Sequence, residues 1–157
     1  MLNTLKEIIL DFQELSFSTG VARHIALIPM QGKAAVCLGV RRSGKSTYMF
    51  QIMQKLLDSG VSRQNILYLN FFDDRLHKLK YDNLAVIAEA YFSLYPGKKN
   101  AEKIYFFFDE IQVISGWESF VDRLMRTEKC EVYITGSSAQ MLSREIATHM
   151  RGRALSW

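Results

Sequence analysis

Gly39-Val40-Arg41-Arg42-Ser43-Gly44-Lys45-Ser46 is a full match to the pattern G-x-x-x-x-G-K-[ST]. The two glycines free the backbone for a turn whose N–H groups converge on one point. Lys45 supplies a point charge suited to the β- and γ-phosphates of a nucleotide, and the Ser46 hydroxyl is a hard oxygen ligand for Mg²⁺. Gly39, Arg42, Ser43, Gly44, Lys45, Ser46 and Thr47 are therefore the candidate cofactor-binding residues. A pattern this short occurs by chance, so the flanks decide. Ahead of it, Ala34-Ala35-Val36-Cys37-Leu38 is the short apolar run expected of a parallel strand buried on both faces. Behind it, Tyr48, Ile52 and Leu56 recur at helical spacing with Met49 and Met53 beside them, and Gly60 follows. This predicts a helix over 47–57 with a glycine stop. Strand, glycine loop and helix in that order bring the positive end of a helix onto an anion.

The second informative stretch is Ile104-Tyr105-Phe106-Phe107-Phe108-Asp109-Glu110. A run of large apolar residues closed by two acids predicts a buried strand that delivers carboxylates at its C-terminal edge, where open α/β sheets bind ligands. Solvated acids at a strand end are common by themselves. Joined to a phosphate loop they acquire separate tasks: Asp109 holds Mg²⁺, directly or through water, and Glu110 orients and deprotonates an attacking water.

With both stretches in hand, the sequence resembles the AAA+ superfamily, GVRRSGKS standing as Walker A and IYFFFDE as Walker B. More narrowly, GVRRSGKST, NILYLNFFDD, FFFDEIQ with a following GWE, YITGSS and SREIATHMRGR resemble a family of prokaryotic AAA-type ATPases, over residues 36–153. The resemblance implies ATP as nucleotide, Mg²⁺ as cofactor and a three-layer α/β fold whose mostly parallel sheet has the order 5-1-4-3-2. It implies a sensor at Thr135 that touches the γ-phosphate or the water, with Ser137 as the alternative, and at Asn70 a polar residue that holds Glu110 inactive until a partner binds. It also implies that Arg151 or Arg153 acts as an arginine finger supplied in trans by a second copy, worth roughly 10³ to 10⁵ in rate. Each has a plainer competitor: Ser137 or Ser138 capping the next helix, Asn70 serving a strand-end turn, and the arginines forming a solvated basic face.

The organisation fits one domain. A chain of 157 residues, 48% hydrophobic and 23% charged, suffices for one three-layer core. Residues 1–33 read as an N-terminal helix and connector, and residues 34–157 as an AAA-type ATPase core that stops before the helical lid and C-terminal domain the resemblance implies. Thr4 with Glu7, and Ser115 with Glu118, have the spacing of capping boxes opening helices. Further strands are expected at 65–71, 130–135 and 153–157, and further helices at 82–95 and 139–149. The triplet Asp73-Asp74-Arg75 reads as a solvated turn rather than a metal site.

Several classes fall away. No stretch approaches the ~18 apolar residues of a membrane span, and Lys6, Glu7 and Asp11 interrupt any signal-peptide core. Two cysteines make neither a disulfide framework nor a metal site, so a reducing cytoplasm is expected. The +4 net charge permits nucleic-acid contact, but no helix-turn-helix, zinc finger or aromatic-rich basic strand supports it. A GTPase would carry Asn-Lys-x-Asp and Asp-x-x-Gly, whereas Gln112 stands at the third position after Asp109. Three functions remain: an ATP hydrolase whose cycle moves an attached domain or partner, a P-loop phosphotransferase, and a nucleotide-dependent DNA- or protein-binding module with little turnover. Glu110 favours the first, because a kinase must keep water from the phosphate while a glutamate beside the Mg²⁺-binding aspartate is suited to activating it.

Overall fold

The computed structural model describes residues 1–16, 34–39, 45–79, 83–137 and 154–156. Within them run α1 (Leu2–Glu14), β1 (Ala34–Gly39), α2 (Lys45–Asp58), β2 (Ile66–Asn70), α3 (Val86–Leu94), β3 (Ile104–Asp109), α4 (Trp117–Thr127), β4 (Cys130–Ser137) and β5 (Ala154–Ser156). All strand pairs are parallel, in the order β2-β3-β4-β1-β5. Counted from the β5 edge this is 5-1-4-3-2.

Side-chain alternation along the central strands builds two cores. Leu67, Leu69, Phe106, Phe108, Val132 and Ile134 point to one face, where Ile87 and Tyr91 of α3 and Phe120, Val121 and Leu124 of α4 cover them. Ile66, Phe107 and Tyr133 point to the other, against Met49 and Met53 of α2. Both faces of the sheet are thus covered, which is why these strands read as apolar runs rather than as alternating patterns. Phe107 and Tyr133, partners in register, stack with ring centroids 4.5 Å apart. Helix α1 contributes Leu5, Ile8 and Ile9 to the first core and Phe12 to the second, so it crosses the β2 edge and shields it.

Helix α2 ends as its glycine predicts. Gly60 has φ +100°, and the Val61 N–H reaches the Leu56 carbonyl at 3.1 Å while the Gly60 N–H reaches that of Leu57. This left-handed closure uses the last free carbonyls of the helix.

Other boundaries differ from expectation. Thr4 does not cap α1, which begins at Leu2 with Met1 as N-cap, because Leu2 packs on the core and carries the helix back past Thr4. Ser115 does not cap α4 either. Gly116, in a left-handed conformation with φ 81°, is the N-cap and makes no side-chain cap bond, and Glu118 is buried. Helix α3 begins at Val86, later than the expected start at 82, and Leu15, just past the end of α1, is exposed. Strand β4 continues through Gly136 and Ser137, since pairing with β1 runs on to Gly39↔Ser137. The expected connector at 17–33 and the helix at 139–149 lie outside the described residues.

Candidate functional site

Parallel strands end at one edge of the sheet, so topology alone gathers the C-terminal residues of β1, β2, β3 and β4. The register sets Asn70 beside Asp109 and Gly39 beside Ser137. Helix α2 starts at the same edge with Lys45, placing Ser46 and Thr47 in its first turn. Arg42, Ser43 and Gly44 of the loop, and Arg151 and Arg153, lie outside the described residues.

Asp109 is the centre of this arrangement and is fully buried. Its Oδ2 accepts a hydrogen bond from the Ser46 hydroxyl at 2.6 Å, joining residues far apart in the chain. The same oxygen accepts from the Tyr68 hydroxyl on β2 at 2.7 Å. Its Oδ1 accepts from the Thr135 hydroxyl on β4 at 2.5 Å. Burial first, and then the neighbouring Asp109 charge, push the Tyr68 phenol well above its ordinary pKa, so it stays a neutral donor.

Glu110 leaves the strand in a left-handed conformation, φ 58° and ψ 44°, uncommon for a residue with a side chain. Such backbone costs on the order of 1–2 kcal/mol and persists only where its surroundings enforce it. Here the Glu110 N–H donates to Thr135 Oγ1 at 3.0 Å, and the Gln112 amide donates to Glu110 Oε2 at 2.7 Å. Thr135 therefore serves both acids, donating to one and accepting from the backbone of the other. Asn70 is also at the site, with its side-chain oxygen accepting the Phe72 N–H at 2.9 Å in a strand-end turn.

Sequence reasoning missed Tyr68 and Gln112. Tyr68 lies two positions before Asn70 on the same face of β2, and only strand neighbours in space reveal that its ring reaches Asp109. Gln112 follows the acids directly, and the sharp turn at Glu110 folds it back.

The fit of this donor set to Mg²⁺ rests on the surroundings of Asp109. Among the described side chains, which do not include that of Lys45, its partners are the hydroxyls of Ser46, Tyr68 and Thr135. A buried carboxylate calls for a compensating charge. Asp109 and Ser46 offer the hard oxygens that Mg²⁺ takes together with phosphate oxygens. Among the described residues there is no cluster of three or more His, Cys, Asp or Glu that could hold a metal ion.

An uncharacterised protein of Methanocaldococcus jannaschii is 39% identical over 153 residues, covering 96% of this chain and 32% of that protein. One from Haemophilus influenzae is 42% identical over 120 residues, covering 75% of this chain and 28% of that protein. The chain thus spans about a third of the length of these relatives. No helix among the described residues is long and apolar enough to cross a membrane. Residues 31–157, which include the glycine loop, both acids and Thr135, match the AAA domain family, and the chain belongs to that family of nucleotide-binding, ATPase-like proteins.

Proposed function

We propose that this chain binds Mg·ATP and hydrolyses it to ADP and phosphate, the cycle driving an attached domain or a partner. The observation that carries the reading is the 2.6 Å contact between Ser46 and the buried Asp109, with Glu110 next in the chain. It brings a phosphate-loop hydroxyl and two acids to one sheet edge, in an order that separates metal binding from proton transfer. Lys45 and the loop amides bind the phosphates, and Ser46 and Asp109 hold Mg²⁺. The bound metal supplies positive charge to the phosphate oxygens. Glu110 takes a proton from a water whose oxygen attacks the γ-phosphorus, while the bond to the β-phosphate oxygen breaks. Thr135 orients both acids. Arg151 or Arg153 of a second copy completes the site in trans, through a head-to-tail contact. Cysteine usage favours a cytoplasmic setting.

The test separates binding from turnover. Lys45→Ala weakens ATP binding about tenfold or more by calorimetry. Glu110→Gln keeps nucleotide affinity and lowers phosphate release by about 10² to 10⁴. Equal turnover in Glu110→Gln assigns the base elsewhere. Specific activity rises with protein concentration, and Arg151→Ala or Arg153→Ala removes that rise; a flat dependence in all three proteins rules out the finger. One observation favours the second reading, a nucleotide-dependent binding module with slow turnover: the Gln112 amide occupies part of the Glu110 carboxylate that a water needs. Stoichiometric nucleotide binding with no phosphate release in the unmodified protein would select it.

A further inference from the structure

We propose that Tyr68 is a positioning residue for the metal–nucleotide site, its hydroxyl fixing Asp109 Oδ2 beside Ser46 so that the two oxygens meet Mg²⁺ in one arrangement. This rests on the Mg·nucleotide reading above.

The Asp109 carboxylate is gripped from three elements: α2 through Ser46, β2 through Tyr68 and β4 through Thr135. Ser46 is the grip that metal binding engages, which leaves Tyr68 as the independent restraint on Oδ2 and Thr135 as the restraint on Oδ1. With both oxygens restrained from separate strands, the plane of the carboxylate is set before any ligand arrives. With Tyr68 Oη removed, the restraint on Oδ2 that remains among the described side chains is the hydroxyl that the metal itself recruits.

Tyr68 is built to be rigid. Its backbone pairs with Phe107 in β3, and its ring lies against Phe12 of α1 at 5.6 Å and Phe50 of α2 at 5.1 Å between centroids. A phenylalanine would satisfy every one of those ring contacts. What the hydroxyl adds is the bond to Asp109. Side chains that orient a metal's ligands from behind typically change metal affinity by about 10- to 100-fold when removed.

The experiment is calorimetric titration of ADP into the unmodified protein and Tyr68→Phe, first in EDTA and then across a Mg²⁺ series. In EDTA the two proteins bind ADP alike, because the phosphate loop is untouched and the aromatic packing is kept. The Mg²⁺ concentration giving half of the metal-dependent rise in ADP affinity moves up about tenfold in Tyr68→Phe. Mn²⁺ in place of Mg²⁺, followed by the free-ion paramagnetic resonance signal in the presence of ADP, shows the same displacement. An unchanged metal requirement overturns the role of Tyr68. An equal loss of affinity in EDTA and in Mg²⁺ also overturns it, since that describes a general effect on the loop or the fold. If the unmodified protein binds ADP with no Mg²⁺ dependence, the metal reading fails first and takes this inference with it.

Discussion

Two neighbouring strands each lead into a pair of acids, and the two pairs are handled in opposite ways. Beyond β2, Asp73 accepts its own turn's Arg75 N–H at 2.9 Å and pairs with the Arg75 guanidinium at 2.8 Å, while Arg75 reaches Asp11 of α1 at 3.1 Å. This cluster is wet, with Arg75 43% and Asp11 66% exposed. Charge meets countercharge there, and a 3₁₀ turn is tied to the first helix. At the end of β3, Asp109 is dry and, among the described side chains, meets hydroxyls. The contrast shows that acids at neighbouring strand ends are balanced differently: Asp73 by a guanidinium of its own turn, and Asp109, among the described side chains, by hydroxyls.

The sharpest way to break that contrast is at Thr135. Thr135→Val keeps shape but leaves Asp109 Oδ1 and the Glu110 N–H without their partner in a dry site, and is expected to cost about 3 kcal/mol in denaturant unfolding. A cost near zero would mean that water reaches Asp109 and that the two clusters are alike. Next in size is the response to ligand. ADP with Mg²⁺ at about 100 times its dissociation constant stabilises the fold by about 2.7 kcal/mol, and chelating the metal lowers that gain at the same ADP concentration. Melting curves that ignore EDTA would place no cation at Asp109. Arg75→Ala is expected to change stability by no more than about 1 kcal/mol and to leave ADP affinity unaltered, as fits a solvated pair.

The smallest effect is on the acid limb of stability. Hydrogen bonds from Arg75 hold the Asp73 carboxyl below its ordinary pKa. Its contribution is therefore present above the unfolded value near ~3.9 and is lost as pH falls through the lower folded value. Solvent screening keeps it under about 0.5 kcal/mol. Arg75→Ala, or molar salt, flattens the loss of stability below about pH 4. A steeper loss in the variant would contradict the pairing.

What the sequence disclosed and what it hid divide along physical lines. The strands were legible because burial on both faces makes Ile104 to Phe108 apolar without interruption, and the end of α2 was legible because Gly60 fills a left-handed position. The meeting of Ser46 and Asp109 followed from motif spacing and parallel topology. Helix starts were obscure where tertiary packing outweighed local capping, as at Leu2 and at Gly116. The turn at Glu110 was hidden because nothing in a glutamate announces a left-handed backbone. Tyr68 was hidden for another reason: a tyrosine in an apolar strand looks like core until the sheet neighbour that takes its hydrogen bond is known.

The position of β1 has a consequence for how the chain is made. Ala34 pairs with Val132 on one side and Ala154 on the other, so the strand that leads into the glycine loop has no partner among the residues nearest it in sequence. Translation at ~5–20 residues per second leaves β1 waiting on the order of ten seconds for β4 to emerge, while β2, α3 and β3 can associate without it. Contacts that close such long loops form slowly. During synthesis, then, the acids of β3 are in place before the strand that presents the phosphate loop is paired, and the growing chain has an unpaired apolar strand to be sheltered until β4 leaves the ribosome.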